Sequence, residues 1–126
     1  MAIERVVVLA GGLSHERDVS LRSGRMVAEA LRHAGIIVEE RDVDSALVPD
    51  LLADPPHCVL PVLHGDSGED GAIREVLSLL DVPYVGSTPD ACRAAFDKPV
   101  AKSVVRRAGI NTPDSVTLPH ETFREL

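Results

Sequence analysis

The chain has almost no aromatic residues. Its 126 residues include one Tyr, two Phe and no Trp, so Val, Leu, Ile and Ala have to fill any hydrophobic core. So few rings offer no platform on which nucleic-acid bases could stack, and the net charge of -7 repels phosphate backbones. We therefore expect no nucleic-acid partner.

Long apolar runs and a secretory signal are also missing. No segment is long enough to cross a membrane, and the first residues lead directly into an apolar strand pattern. The two cysteines, Cys58 and Cys92, are too far apart for a Cys-x-x-Cys motif and are typical of reduced thiols. The sequence thus predicts a cytoplasmic protein without a membrane partner.

The hydrophobic fraction of 44% is sufficient for one domain with its own core. Apolar runs at residues 6–10 and 58–63 are typical of strands that are buried on both faces. A more polar run at residues 36–41 indicates a strand near the edge of the sheet, and residues 82–85 indicate a short fourth strand.

Apolar residues at helical spacing alternate with these strands. The pattern predicts helices at residues 21–34, 47–52, 72–80, 90–96 and 99–108. Alternation of strands and helices predicts parallel βαβ units with right-handed crossovers. The predicted fold class is α/β, a three-layer, Rossmann-like domain with a four-stranded, mainly parallel sheet flanked by helices.

The end of the chain predicts a separate segment. A strand pattern at residues 115–118 is followed by a helix start at His120 and Glu121 that stops after less than two turns. We assign residues 1–111 to one domain and residues 112–126 to the start of a connection to a further domain.

Two loops rich in glycine and charged residues follow the two buried strands. The first loop (residues 11–20) contains Glu16, and Ser20 is the predicted N-cap of the helix that follows it. The second loop (residues 64–71) begins with His64 and combines three glycines with three acids. Ligands bind beyond the carboxyl ends of parallel strands, so we expect the two loops to face each other across a ligand crevice.

Each of these residues also has a plainer interpretation. The second loop fits a solvated acidic turn, and Glu16 fits a surface acid that the helix dipole stabilises. In the functional interpretation, the Glu16 carboxylate holds a substrate ammonium or orients a hydroxyl. We interpret His15 and Arg17 as solvated side chains, and Lys98 by its spacing fits the solvated face of a helix.

The two loops together strongly resemble the D-alanine–D-alanine ligase family of ATP-grasp enzymes. They read Gly-Gly-x-Ser-x-Glu-Arg-x-Val-Ser and His-Gly-x-x-Gly-Glu-Asp-Gly. Residues 83–87, the pair Asp97 and Lys98, and residues 109–113 fit the same family in the same order. The resemblance extends over nearly the whole chain.

The resemblance implies a ligase that uses ATP and Mg²⁺ to convert one D-alanine into an acyl phosphate. The amine of a second D-alanine attacks this acyl phosphate and gives the dipeptide for peptidoglycan precursors. The chain would then be the amino-terminal, substrate-side (pre-ATP-grasp) domain, inactive alone. The Mg²⁺ ligands would lie in a downstream ATP-grasp domain, and the full-length enzyme would be a homodimer.

The resemblance also implies roles for four residues. Glu16 would be the catalytic residue that holds the ammonium of the first D-alanine, while Val19 would line that pocket from the start of the helix. His64 would border the pocket from the second loop. Lys98 would contact the nucleotide instead of lying on a solvated helix face.

Two other functions remain open from the sequence. The chain can belong to another ATP-grasp ligase, for example one that joins D-alanine to D-lactate or forms a different dipeptide. It can also be a stand-alone domain that binds an amino acid without catalysis.

Overall fold

The computed structural model describes residues 3–119 and shows helices and parallel strands in alternation. The strands are β1 (Arg5–Leu9), β2 (Ile37–Arg41) and β3 (Cys58–Pro61). The helices are α1 (Arg17–His33), α2 (Leu47–Ala53), α3 (Asp66–Glu69), α4 (Ala72–Leu79), α5 (Pro89–Phe96) and α6 (Lys98–Arg107). In this part of the chain, no helix has the length and apolar character needed to span a membrane.

The described residues form two compact units that divide between Arg93 and Ala94. The first unit contains the whole sheet, and the second contains α6 and the residues after it. The domain boundary predicted after residue 111 stays a prediction. Residues 115–118, predicted as a strand, form no strand, and the helix start predicted at His120 lies outside the described residues.

The sheet confirms the predicted α/β class. Its strand order is β2-β1-β3, and β1 pairs in parallel with both neighbours. The register aligns Val7 with Glu39 on one side and with Val59 on the other. The polar strand β2 lies at an edge, as its sequence predicts.

Apolar side chains alternate between the two faces of β1 and produce the three predicted layers. Val6 and Val8 pack with Ala28 of α1 on one face. Val7 and Leu9 point to the other face, where they join buried side chains of α2 and α4. Because both faces are covered, β1 is fully buried over four successive residues, as its unbroken apolar run predicts.

The prediction of a four-stranded sheet is wrong in the strand count, since residues 82–85 form an isolated bridge instead of a strand. The Val59 N–H donates to the Pro83 carbonyl at 2.8 Å, and the Val85 N–H donates to the Val59 carbonyl at 2.9 Å. The next bond of a parallel ladder would need an N–H from Pro61, which proline lacks. The pairing therefore ends after a single bridge.

The start of α1 also differs from its prediction. Helix α1 begins at Arg17, with Glu16 at the N-cap position, so Ser20 lies inside the first turn. The Ser20 side chain is fully buried, accepts the Gly11 N–H at 2.8 Å and donates to the Val62 carbonyl at 2.6 Å. Ser20 thus bonds backbone groups of two neighbouring strand ends instead of capping its own helix.

Helix α1 lies unusually close to β1 at Gly24. A Cβ at this position would lie 2.5 Å from the Cβ of Ala10, which is closer than carbon atoms pack. The absence of a side chain at Gly24 is therefore a packing requirement, although glycine is a poor helix former.

We expect Gly24→Ala to destabilise the fold by up to about 2 kcal/mol, because an overpacking cost of about 1–3 kcal/mol exceeds a gain in helix propensity of about 1 kcal/mol. Ser23→Ala, one residue earlier, is the control, since it raises helix propensity without placing a Cβ against β1. Urea unfolding followed by circular dichroism measures both variants. A Gly24→Ala chain more stable than the original would contradict the packing requirement.

Candidate functional site

The first and second loops lie side by side because they follow adjacent parallel strands. The first loop leaves β1, and the second follows the end of β3. The Ser14 hydroxyl of the first loop donates to the carbonyl of His64 in the second at 2.6 Å. The expected juxtaposition of the two loops is therefore present.

Glu16 projects from the start of α1 towards the second loop. A Cβ at Gly65 would lie 3.3 Å from the Oε2 atom of Glu16, so the carboxylate lies directly beside that glycine. The φ angle of Gly65 is 80°, and a side chain here would also strike Ser14. Among the described residues, no hydrogen bond or ion pair reaches the Glu16 carboxylate, which leaves it free for a ligand.

His64 precedes Gly65 in the second loop. Its Nδ1 atom is 3.5 Å from the Glu69 carboxylate, whereas its Nε2 atom is buried and has no hydrogen-bond partner among residues 3–119. Buried polar atoms in proteins usually have a partner. The free Nε2 atom is thus a second polar group of this site with unused bonding capacity.

The loops border a small cleft of about 60 Å³. Its lining is mostly apolar and includes Gly12, Leu13, Val43, Leu63, His64 and Gly68. Gly68 lies in α3, a short helix inside the second loop that the sequence did not predict. A Cβ at Gly68 would lie 2.6 Å from the Cβ of Leu63, so this glycine lets α3 lie against the end of the apolar segment.

The other two predicted site residues lie at helix starts. Val19 is in the first turn of α1, three residues from Glu16, and its side chain is 55% exposed. Lys98 is exposed at the first position of α6, and the carboxylate of Asp97 caps this helix by accepting the Val100 N–H at 3.1 Å. Lys98 belongs to the second compact unit, whereas the three other residues belong to the first.

Arg17 is exposed, as the interpretation of a solvated side chain expects, but it also has protein partners. Its guanidinium is 2.6 Å from the Asp42 carboxylate and donates a second hydrogen bond to the Gly12 carbonyl at 2.9 Å. The guanidinium, aided by the backbone N–H groups of Gly12 and Val43, lowers the pKa of Asp42 against the opposing effect of burial. The hydrogen bond that Arg17 donates to the Asp42 carboxylate in turn raises the pKa of Arg17.

Sequence reasoning did not single out Ser14 or Asp42, although a signal for Asp42 was available. A right-handed β1-α1-β2 crossover can place β2 beside β1, so the residue after β2 comes close to the glycines after β1. Ser14 carries no comparable signal, because its partner is a backbone carbonyl of a loop 50 residues away.

A Mg²⁺ ion needs several oxygen ligands close together. Residues 3–119 contain no group of three or more His, Cys, Asp or Glu side chains that could hold a metal ion. These residues therefore do not form a Mg²⁺ site. The expectation that Mg²⁺ ligands lie further along a longer chain stays a prediction.

We expect Ser14→Ala to loosen the contact between the loops, because one hydroxyl bonds both the His64 carbonyl and the Glu16 N–H. The free energy of unfolding should fall by about 0.5–1.5 kcal/mol, and amide hydrogen exchange at Glu16 should become faster. Ser78→Ala is the control, since it removes a hydroxyl that bonds Arg74 and Tyr84 away from the loops. Equal exchange at Glu16 in both variants would contradict the linking role of Ser14.

The known proteins that are similar to this chain come from the same family that its two loops resemble. The family described as D-ala D-ala ligase N-terminus matches residues 38–87. The D-alanine–D-alanine ligase of Aquifex aeolicus is 48% identical over 110 residues, which are 87% of this chain and 38% of that protein. The ligase of Acidiphilium cryptum is 43% identical over 125 residues, which are 98% of this chain and 42% of that protein.

Solved structures show the same likeness in three dimensions. A D-alanine–D-alanine ligase from Bacillus anthracis complexed with ATP has a TM-score of 0.76 and 28% identity over 98% of this chain and 44% of that one. A ligase from Aeromonas hydrophila has a TM-score of 0.79 and 25% identity over 94% of this chain and 51% of that one. The chain spans about two fifths of the length of the curated relatives cited above. It belongs to the D-alanine–D-alanine ligase family, of which it matches the amino-terminal part.

Proposed function

We propose that the chain forms the D-alanine-binding side of an ATP-dependent D-alanine–D-alanine ligase of peptidoglycan precursor synthesis. The observation that carries this proposal is the unpartnered Glu16 carboxylate beside Gly65, with His64 on the facing loop. A carboxylate without a protein partner, next to the glycine backbone of the second loop, suits the ammonium of a small amino acid.

Glu16 binds the ammonium of the first D-alanine and thereby orients its carboxylate. The backbone at Val19 lies in the first turn of α1, where N–H groups without helical acceptors favour negative charge. His64 borders the pocket from the second loop, where its Nε2 atom is buried without a hydrogen-bond partner among residues 3–119. These groups hold the amino acid while its carboxylate is activated.

The reaction joins two D-alanines at the expense of ATP. A carboxylate oxygen of the first D-alanine attacks the γ-phosphorus of ATP, which forms an acyl phosphate and releases ADP. The amine of the second D-alanine attacks the acyl carbon, loses a proton and expels inorganic phosphate. Lys98 contacts the nucleotide, and a Mg²⁺ ion held by residues outside this part of the enzyme would spread the phosphate charge.

Activity requires more than this part of the enzyme. The relatives are more than twice as long as the part that matches, and the chain by itself supplies one side of the proposed substrate site. We expect the chain alone to form no dipeptide from ATP, Mg²⁺ and D-alanine. The homodimer and the cytoplasmic location stay predictions.

We expect Glu16→Gln to weaken D-alanine binding by at least about tenfold, because loss of a charge-assisted hydrogen bond costs about 1.5–3 kcal/mol. The measurement is a titration of the ¹⁵N-labelled chain with D-alanine, followed by amide shifts of the two loops. Asp18→Asn is the matched control, since it removes an acid from the same first turn of α1 and leaves Glu16 in place. Equal affinity of the Glu16→Gln and unsubstituted chains would disprove the ammonium-binding role.

A hybrid enzyme tests the ligase reaction itself. The chain replaces the matching amino-terminal part of the Aquifex aeolicus ligase, to which it is 48% identical. We expect the hybrid to form D-alanyl-D-alanine, and Glu16→Gln to raise the KM of the first D-alanine site. A folded hybrid that binds D-alanine but forms no dipeptide would favour a stand-alone binding domain.

A further inference from the structure

A single ion pair holds both ends of the segment that carries Glu16. The Arg17 guanidinium donates to the Gly12 carbonyl at 2.9 Å, while Asp42 accepts the Gly12 N–H at 2.8 Å. Arg17 and Asp42 are 2.6 Å apart at their charged atoms. Gly12 is therefore bound through both of its backbone groups, and Arg17 connects it across the segment to the start of α1.

Gly11 shows that this arrangement constrains the sequence. A Cβ at Gly11 would lie 2.6 Å from the Oδ1 atom of Asp42 and 2.8 Å from the guanidinium of Arg17. Its φ angle of 105° also favours glycine. The first glycine of the loop is thus required by the ion pair as well as by the turn.

The position of Glu16 depends on its backbone, because its own carboxylate contacts no protein donor among the described residues. Only four residues lie between Gly12 and Arg17, so fixing these two ends removes most of the conformational freedom of the segment. Ser14 fixes its middle through the His64 carbonyl. The ion pair and Ser14 together determine where the Glu16 side chain starts.

The same pair also keeps Glu16 free. Arg17 is adjacent to Glu16 in sequence, and an unpaired guanidinium there would compete with a substrate ammonium for the carboxylate. Asp42 neutralises Arg17 and directs it away from Glu16, towards Gly12.

We propose that Arg17 and Asp42 are positioning residues, which hold the first loop at Gly12 so that Glu16 is both placed and unpaired for the D-alanine ammonium. This inference rests on the proposed function. It assigns no contact with substrate to either residue, since each acts through Glu16.

The test compares Arg17→Gln, Asp42→Asn and the double variant in the complete 126-residue chain. D-alanine titrations followed by NMR should show each single variant binding about tenfold more weakly. Asp42→Asn also frees Arg17 to pair with Glu16. The double variant, which lacks that competing cation, should therefore bind no more weakly than Asp42→Asn alone.

Arg32→Gln provides a matched control for general loss of stability. Arg32 pairs with Glu40 at 2.8 Å and connects the same helix, α1, with the same strand, β2, at the other end of the helix. The exposure of its side chain, 44%, is close to the 46% of Arg17. We expect Arg32→Gln to bind D-alanine within about twofold of the unsubstituted chain.

Two results would overturn the positioning role. One is unchanged D-alanine affinity in both single variants, and the other is an equal loss in Arg32→Gln. Hydrogen exchange at the Gly12 and Glu16 amides measures the effect of the ion pair on the loop without any ligand. If the unsubstituted chain fails to bind D-alanine, that result therefore counts against the proposed function alone. Faster exchange in Arg17→Gln and Asp42→Asn than in Arg32→Gln supports the positioning role. Equal exchange overturns it.

Discussion

The Ser20 hydroxyl bonds two backbone groups where β1 and β3 end, the buried Gly11 N–H and the half-buried Val62 carbonyl. An unsatisfied buried group costs about 1–3 kcal/mol, so this side chain removes that cost at the Gly11 N–H. It also ties the first turn of α1 to both strands. The positions of the two loops, and of the residues they carry, follow from this junction.

Much of the fold was predictable because its signals are local. The apolar runs of β1 and β3, the polar pattern of β2 and the helical spacing of α2, α4, α5 and α6 all identify their elements correctly. The adjacency of the loops followed from parallel pairing, which brings carboxyl ends of strands to one edge. Glu16 and His64 were singled out by the places where their strands end, and the structure brings their loops together, while their roles stay predictions.

The errors of prediction arise where long-range bonds override local preference. Ser20 has the chemistry of an N-cap, yet its hydroxyl bonds a strand 42 residues away. Arg17 is exposed as predicted, but its ion pair with an acid just after β2 was not foreseen. Residues 82–85 have strand propensity, and Pro61 on the neighbouring strand prevents a longer ladder. Each outcome depends on a partner that the local sequence does not contain.

Because pairing stops at Pro61, the β3 side of the sheet has an edge that matters for association between chains. An open sheet edge offers unpaired N–H and C=O groups on which a strand from another molecule can assemble. On the β3 side, Pro61 removes a donor from that edge, and on the β2 side the edge strand carries the charged residues Glu39, Glu40 and Arg41. A sheet of only three strands thus carries its own protection against edge-to-edge aggregation.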